Sequence, residues 1–559
     1  MILGGAACLA TPGAALAADQ LPEPWGSMPT KVMPFDRAIG LIPSGATVAI
    51  GASSGVSLPD HTLAALGAAF RKTGRPGDLT LFFPINLGDM FGQKGLDHVA
   101  NPGQLRCLIG GSYPSGPSNA EPPAIRRMID AEEVLAYNLP IGALMALLSE
   151  SAAKGPGVLT ETGLGTFVDV QHGGGGMNER SRKTPILRRL TLDGSDYLFF
   201  PSRPIDIAII RATTADERGN LTFEHEGALI SPYTLAAAAK TNRGRVIAQV
   251  KRVRSSRAID PREVRVPGYM VDAVVVAPDQ MQATRTPYDP AISGQDWAAP
   301  GNLAAVNGAV ERLLSRRVAG QLRSGEVAVV GYGVCANIPT LLAQSCEIDD
   351  VTFVIEQGSV GGIPLNGFQF GCSYNAQAYL DTRLAFDYLR GGGFDVALLS
   401  FLQIDAGGNL NVSSLPSRPH VTAGIGGFMD IVQNAPRLVF AGQLRGGGSD
   451  LDVGPDGLVI RTEGKHPKLV PTVDQVTVPG KVLRRNGRNV RIVTERCTFE
   501  LRGDGLHLTE VVPGVDVRRQ ILDLCAIPVT VDEPLAVRDA GLFRDAAAPL
   551  LGRAPAICC

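Results

Sequence analysis

Short, continuous hydrophobic runs recur along the chain, separated by glycine- and proline-rich turns. Runs such as VAVV (327–330) and ALLSFL (397–402) are typical of central strands of parallel sheets, which are covered on both faces. Several runs lead through a glycine-rich turn into a proline and then an Ala/Leu-rich segment, a pattern that predicts a helix. The hydrophobic pattern therefore predicts an α/β fold with mainly parallel sheets.

The same pattern is written twice. SGATVAIGASSGVSLP (44–59) aligns without gaps with SGEVAVVGYGVCANIP (324–339). DIAIIRATTADERGNL (206–221) matches DVALLSFLQIDAGGNL (395–410), and NRGRVI (242–247) matches NAPRLV (434–439). Three matches in the same order indicate an internal duplication, with two related open α/β domains. The predicted segments are an N-terminal extension (1–30), a first domain (31–285), a Pro/Gly-rich linker (286–302), a second domain (303–545) and a C-terminal tail (546–559).

Composition and charge exclude several classes of protein. The 559 residues are 45% hydrophobic and carry a net charge of −2, so no polyanionic partner such as nucleic acid is expected. Two basic clusters, 179–189 and 481–491, are typical of solvated faces. Beyond the N-terminal stretch no apolar run is long enough to span a membrane. Dispersed histidines and cysteines predict no metal site, and the cysteines are typical of small buried hydrophobic residues in a reducing, cytoplasmic compartment. The first 18 residues lack charge and look partly like a signal peptide, which leaves export as a minor alternative.

One acid stands out. Glu356 is the only charged residue between 351 and 380, although 19% of the chain is charged. It follows the strand-like VTFVI (351–355), and ligands of parallel α/β folds collect at such strand ends. An unpaired carboxylate in apolar surroundings is costly or has a shifted pKa. The pattern therefore favours a reactive carboxylate, with a buried acid that caps backbone amides as the alternative.

Two other motifs carry weaker hypotheses. GASSG (51–55) fits the G-x-S-x-G pattern of serine hydrolases, but its counterpart in the second half has Gly333 where Ser53 stands. The turn is better explained as shared fold geometry. HGGGG (172–176) does not fit a phosphate-binding loop and is expected to be a flexible surface loop.

The segments EQGSVGGIP (356–364) and FGCSYN (370–375) resemble the catalytic glutamate region of the family I CoA-transferases, in particular the single-chain propionate/acetate type with fused α and β halves. Further similar stretches, among them GNLNVS (408–413) and GIGGFMDIVQNA (424–435), extend the resemblance over nearly the whole chain. The resemblance implies the family I fold and an acyl-CoA:carboxylate CoA-transferase that uses coenzyme A as a substrate and needs no tightly bound cofactor. It also implies a homo-oligomer.

The implied reaction is a ping-pong exchange between a short-chain acyl-CoA and a free carboxylate such as acetate. Glu356 attacks the thioester to give a mixed anhydride and CoA thiolate, which then forms a glutamyl-CoA thioester. An acceptor carboxylate reverses these steps. By the same resemblance, oxyanion and CoA contacts are expected from three glycine-rich segments: Gly331, Tyr332, Gly333, Val334 and Cys335; Gly358, Gly361 and Gly362; and Gly424, Gly426 and Gly427.

This sequence departs from the family pattern at Asn366, where glycine is usual, at Tyr332 and Cys335, which make the turn bulkier, and at Gln357. The departures at Asn366, Tyr332 and Cys335 bear on the size of the acyl group, and Gln357 is a lesser departure. Two alternatives stay open: an acyl-CoA hydrolase that uses the same glutamate, and a CoA-binding protein without activity.

Overall fold

The computed structural model describes residues 30–89, 92–115, 121–299, 303–454, 456–537 and 550–551. Nearly all of the predicted N-terminal extension and most of the predicted C-terminal tail lie outside these ranges. Within the described residues, no helix is long and apolar enough to cross a membrane.

The part of the chain before the linker forms a parallel sheet that is flanked by helices. Its strands are β1 (Thr47–Ile50), β2 (Leu79–Phe83), β3 (Leu105–Gly110), β4 (Leu135–Asn138), β5 (Gly157–Thr160), β6 (Arg188–Leu192), β7 (Ser195–Pro201), β8 (Ile207–Asp216), β9 (Leu221–Thr222), β10 (Arg245–Arg254) and β11 (Ala273–Val276). Its helices are α1 (Phe35–Ile39), α2 (Asp60–Thr73), α3 (Ala124–Asp130), α4 (Ile141–Ala153), α5 (Glu179–Arg182) and α6 (Pro232–Thr241). The main sheet has the order β11-β10-β8-β1-β2-β3-β4, with β9 paired to β8, while β5, β7 and β6 form a small antiparallel sheet.

The part after the linker forms a second, larger sheet. Its strands are β12 (Val327–Val330), β13 (Thr352–Val354), β14 (Ser359–Val360), β15 (Ile363–Pro364), β16 (Ser373–Tyr374), β17 (Ala378–Tyr379), β18 (Val396–Ser400), β19 (Gln403–Ile404), β20 (Leu410–Asn411), β21 (Arg437–Ala441), β22 (Arg445–Gly446), β23 (Asp450–Gly454), β24 (Gly457–Thr462), β25 (His466–Pro467), β26 (Asn489–Val493), β27 (Cys497–Arg502), β28 (Gly505–Val511) and β29 (Val529–Val537). Its helices are α7 (Ala309–Ala319), α8 (Ile338–Gln344), α9 (Thr382–Arg390), α10 (Phe428–Asn434), α11 (Gly480–Leu483) and α12 (Val517–Gln520). The sheet order is β17-β14-β13-β12-β18-β21-β26-β27-β28-β29, and it is parallel from β13 through β26.

Sheet topology confirms the predicted duplication. The first sheet contains the order β10-β8-β1 and the second contains β21-β18-β12, which are the strands that the three repeats predicted to correspond. The next strands, β2 and β13, extend the correspondence by one pair that the repeats did not include. The registers also agree, because Ala49 pairs with Phe82 in the first sheet and Val329, 280 residues after Ala49, pairs with Val354 in the second. The predicted domain boundaries themselves stay predictions.

The repeated aspartates accept the equivalent hydrogen bond in both halves. Oδ2 of Asp206 accepts a hydrogen bond from the Thr47 amide at 2.8 Å, and Oδ2 of Asp395 accepts one from the Val327 amide at 2.8 Å. Each acid thereby satisfies the first backbone donor of a central strand. The repeated sequence thus preserves a hydrogen bond as well as a strand.

A fourth match emerges only from the structure. In the first half the side chain of Asn220 donates to Asp216 and accepts from the amide of Gly268, at 2.7 Å. In the second half Asn409 donates to Asp405 and accepts from Gly480, at 2.9 Å. The two glycines lie in VPG triplets, 266–268 and 478–480, which are too short to be recognised as a repeat in the sequence.

The two halves share a hydrophobic core. One cluster of buried side chains joins residues of the first sheet and of α4 to Leu365, Cys372, Phe386, Ile425 and Met429 of the second half. Burying this apolar surface stabilises the docked arrangement of the halves. The seam between them is therefore part of the fold and has a fixed geometry.

Most of the cysteines in the described ranges agree with expectation. Cys107, Cys335, Cys372, Cys497 and Cys525 are free, and four of them are buried. Cys346 is disulfide-bonded, which the scattered spacing did not predict.

Candidate active site

Glu356 lies where its sequence context placed it. It is the second residue after β13, at the carboxyl end of a central parallel strand, and it faces the seam between the two halves. The residue is partly buried, and among the described residues its carboxylate forms no ion pair. It therefore neither points into bulk solvent nor is neutralised by a local cation.

Each carboxylate oxygen of Glu356 receives one hydrogen bond. The amide of Gly427 donates to Oε2 at 3.1 Å, and Nε2 of Gln357 donates to Oε1 at 3.2 Å. Burial raises the pKa of Glu356 to about 7, and the charge of Asp430 acts in the same direction. The two hydrogen bonds oppose this shift because they stabilise the ionised form. The result is a carboxylate that titrates near neutral pH, as suits a group that must be both ionised and reactive.

Gly427 fits its position because it has no side chain. A Cβ atom there would lie 2.3 Å from Oε2 of Glu356 and 2.9 Å from the ring of Phe386. The glycine lets a backbone donor approach the carboxylate closely, as an oxyanion-binding group must.

The first half contributes the opposite wall of the site. Oδ1 of Asn138, at the end of β4, accepts from the amide of Ile425 at 3.0 Å. The amide of Gly142, at the start of α4, donates to Oδ2 of Asp430 at 2.8 Å. These two contacts hold the GIGG turn (424–427) and helix α10 against the first half.

Asp430 is a second buried acid beside the site. It has no exposed surface, its Oδ1 accepts no hydrogen bond from the described residues, and the guanidinium of Arg390 lies 3.7 Å from that atom. Burial raises the pKa of Asp430 to about 6, against the opposing effect of Arg390. Its sequence context carried the same signal that singled out Glu356, since Asp430 is the only charged residue between 421 and 436.

Ser53 of the GASSG turn lies at the site, but not as an activated nucleophile. It is buried, and its Oγ accepts a hydrogen bond from Nε2 of Gln357 at 3.0 Å. No histidine or carboxylate hydrogen-bonds its hydroxyl within the described ranges. The geometry agrees with the interpretation of this turn as shared fold geometry, and adds a contact that the sequence did not reveal.

The GYGVC turn lies between β12 and α8. Tyr332 is 63% exposed, and its ring packs edge-on against Phe370 with 5.2 Å between centroids. Cys335 is fully buried in the core, and this burial raises the pKa of its thiol to about 12. A contact between Cys335 and coenzyme A is thus limited to the backbone.

The predicted glycine-rich segments divide by what their amides do. The amides of Gly331, Gly358, Gly361 and Gly426 already donate to protein carbonyls, so these residues shape the turns around Glu356. The amides of Gly333, Val334, Gly362 and Gly424 donate to no group of the described chain. The second set keeps its hydrogens available for a ligand, and the predicted contacts with coenzyme A stay predictions.

The HGGGG segment is not the flexible surface loop that was expected. Gly174 and Gly175 are buried, and the carbonyl of Gly175 accepts from the amide of Asn138 at 2.8 Å. A Cβ atom on Gly175 would lie 2.5 Å from Leu139. The glycines allow this segment to pack against the end of β4, which supports the wall of the site.

Two further residues at the site were missed: Asn138 and Phe386. An asparagine or a phenylalanine is common in any sequence. Only the structure shows that Asn138 contacts the GIGG turn and that Phe386 packs beside the Glu356 carboxylate.

A parallel-sheet duplication with a lone glutamate at the seam defines the class of protein, and comparisons with known proteins agree. Residues 32–277 match the family model of coenzyme A transferase. A caffeate CoA-transferase of Acetobacterium woodii is 34% identical, over 92% of this chain and 98% of its own length. The acetate CoA-transferase YdiF of Escherichia coli K12 is 33% identical, over 92% of this chain and 96% of its own. The chain therefore belongs to the coenzyme A transferase family.

A solved structure shows the same fold over the whole molecule. The apoenzyme of the acyl-CoA transferase YdiF from Escherichia coli O157:H7 matches with a TM-score of 0.85 at 32% identity, covering 94% of this chain and 98% of that one. The same protein has been solved as a thioester complex with CoA. The predicted family I fold is confirmed, and the chain is an acyl-CoA:carboxylate CoA-transferase.

Proposed function

We propose that Glu356 is the carboxylate that carries CoA in this transferase. The observation that supports this role is its environment: a partly buried carboxylate at the seam, held by one amide donor on each oxygen and paired with no cation among the described residues. A carboxylate stripped of part of its solvent and beside preorganised donors becomes a competent nucleophile.

The steps follow from that role. An oxygen of Glu356 attacks the thioester carbonyl, the C–S bond breaks, and a mixed anhydride and CoA thiolate result. The thiolate attacks the glutamyl carbonyl and releases the donor acid, which leaves a glutamyl-CoA thioester. An acceptor carboxylate then attacks the same carbonyl and expels the thiolate, which finally attacks the acceptor's acyl carbonyl and frees Glu356. We expect the amide of Gly427 to stabilise the oxyanion that develops on the glutamyl carbonyl oxygen.

Short-chain acyl groups are the proposed substrates, with acetate among the acceptors. Phe386 has no exposed surface and packs against Gly427 beside the carboxylate, which limits the width of the site there. The two relatives named above act, by their names, on acetate and on the much larger caffeate, so they do not decide the acyl size. A panel of acetate, propionate, butyrate and caffeate as acceptors tests this; faster turnover with caffeate than with acetate contradicts it.

The covalent role has a direct test. Incubation with an acyl-CoA, in the absence of an acceptor, followed by borohydride, reduces a glutamyl thioester to a stable alcohol. Peptide mapping by mass spectrometry is expected to find the modification at Glu356, and the Glu356→Gln variant serves as the blank. An unmodified Glu356 in an enzyme that still exchanges CoA contradicts the assignment.

Assembly as a homo-oligomer is also proposed, as expected for this family. Light scattering on the purified chain measures it, and a monomer at all concentrations contradicts it.

A further inference from the structure

Gln357 stands between the proposed nucleophile and the other half of the chain. Its side chain is 1% exposed, and its Nε2 carries two hydrogen bonds, to Oε1 of Glu356 at 3.2 Å and to Oγ of Ser53 at 3.0 Å. One amide group therefore connects the carboxylate of the second half to a turn of the first.

The orientation of this amide depends on those two contacts. An ionised carboxylate only accepts hydrogen bonds, so the NH₂ end of the amide must face Glu356. The Oε1 atom of Gln357 is buried and receives no hydrogen bond from the part of the chain that the structure describes. Within that part, Ser53 is the only partner besides Glu356 that orients the amide, so Ser53 is the anchor that aims Nε2 at the carboxylate.

Gln357 is held at its backbone as well as at its side-chain amide. The hydroxyl of Thr382 donates to the Gln357 carbonyl at 3.0 Å, which fixes the backbone. Ser53 is fixed in turn, because its amide and carbonyl pair with Val56 at 2.9 and 2.8 Å. Gly371 gives the side chain its room, since a Cβ atom there would lie 3.0 Å from Cγ of Gln357.

We propose that Gln357, anchored by Ser53, is a positioning residue that holds the plane of the Glu356 carboxylate for attack on the thioester. Gly427 holds one oxygen and Gln357 the other, so the carboxylate is aimed only when the two halves are docked. This inference rests on the proposed role of Glu356.

The hydrogen bond from Gln357 also affects the titration of Glu356. Among the described residues, the groups around the carboxylate are the Gly427 amide, the Gln357 side chain, the apolar ring of Phe386 on α9, and one charged neighbour, Asp430 on α10, which is itself near Arg390. Burial and Asp430 disfavour the ionised form, and the Gln357 donor favours it. Loss of this donor therefore moves the acid limb of the activity profile to higher pH.

The test compares three variants with the wild-type enzyme. Gln357→Met keeps the volume and removes the donor, Gln357→Asn withdraws the donor by one methylene, and Ser53→Ala removes the anchor. We expect Gln357→Met to lower kcat roughly tenfold to a hundredfold, the range for a hydrogen bond to a charged group, with KM for acyl-CoA changed less than about threefold. The acid limb of kcat/KM is expected to move to higher pH in the same variant, and by less in Ser53→Ala. Gln357→Asn is expected to fall between Gln357→Met and the wild type.

Gln249→Met is the matched control, because Gln249 is a fully buried glutamine in β10 that contacts Thr62 and Gln280, away from the seam. It is expected to lower the unfolding temperature without moving the pH profile. An unchanged kcat and pH limb in a folded Gln357→Met enzyme overturns the proposal, as does an equal shift in the control. If Gln357→Met does not fold, the acid limb of kcat/KM in Ser53→Ala tests the proposal instead, and an unshifted limb overturns it. Borohydride trapping on the wild-type enzyme distinguishes a failure of the Glu356 proposal from a failure of the Gln357 proposal. If Glu356 is not trapped, its role as nucleophile is refuted. If Glu356 is trapped but the Gln357 and Ser53 variants behave as wild type, only the role of Gln357 is refuted.

Discussion

The amide of Gly142, at the start of helix α4, donates to the buried carboxylate of Asp430 on helix α10 at 2.8 Å. This contact crosses the seam between the halves beside Glu356. A Cβ atom on Gly142 would lie 2.5 Å from Oδ1 of Asp430, so neither residue has room to shift. Asp430 is thereby held in place as a negative charge whose effect on Glu356 can be measured.

Asp430→Asn tests that effect. The variant removes the charge and keeps an oxygen that can accept from Gly142. Because Asp430 raises the pKa of Glu356, its loss is expected to move the acid limb of kcat/KM to lower pH, opposite to the shift expected for Gln357→Met. The measurement is the rate of CoA transfer as a function of pH, and a shift to higher pH contradicts the prediction.

Gly427→Ala is expected to impair transfer severely. Its Cβ atom would overlap Oε2 of Glu356 and press on Phe386, so the carboxylate and its donor must separate. Loss of one oxyanion donor costs roughly 10²- to 10³-fold in kcat. Gly446→Ala is a suitable control, because a Cβ atom there meets nothing within 4 Å, and it is expected to behave as wild type.

The unfolding free energy is expected to depend on pH through Glu356. Its pKa is raised from 4.5 to about 7 by folding, so the folded state binds the proton more tightly than the unfolded chain. The stabilisation from this protonation is present below pH 4.5 and is lost as the pH rises to about 7. Glu356→Gln removes the dependence. The stability of wild type relative to this variant is therefore expected to fall by about 3 kcal/mol across that window, as measured by denaturant titration. A rise across the window contradicts the raised pKa.

The repeated aspartates give a matched pair of stability variants. Asp206→Ala and Asp395→Ala each leave the first amide of a central strand, β1 or β12, without its acceptor. Each is expected to lower the unfolding free energy by about 1 kcal/mol and to leave kcat unchanged, because neither residue contacts the site. Equal thermal shifts in the two variants support the equivalence of the halves, and a loss of activity in either contradicts it.

Transfer and hydrolysis are separated by the acceptor. Water that reached the glutamyl thioester would release CoA without any free carboxylate present. We expect release of the donor acid from acyl-CoA to stop after about one equivalent per active site, with CoA retained as the glutamyl thioester, and turnover to acetyl-CoA to continue only when acetate is added. Steady release of free CoA without an acceptor would identify the chain as an acyl-CoA hydrolase.

The sequence revealed the duplication and the lone glutamate because both leave local marks. A strand repeat preserves its hydrophobic run, and an isolated acid in thirty uncharged residues is visible without coordinates. The wall of the site leaves no such mark. Asn138 and Gly142 are ordinary residues until the second half docks against them, and the HGGGG segment looks like a free loop until its packing against β4 is seen. Asp430 could also have been noticed, since it is the only charged residue between 421 and 436, although it lies in a helix and not at the end of a strand.

The matching registers of the two sheets have one more consequence. The register that places Glu356 beyond β13 places Pro84 at the equivalent point beyond β2, a residue with neither charge nor amide hydrogen. The two copies have thus specialised: the second half carries the carboxylate, and the first half contributes only residues that surround and position it. Cleaving the chain in the linker between them should yield two pieces that are inert alone and recover turnover when recombined.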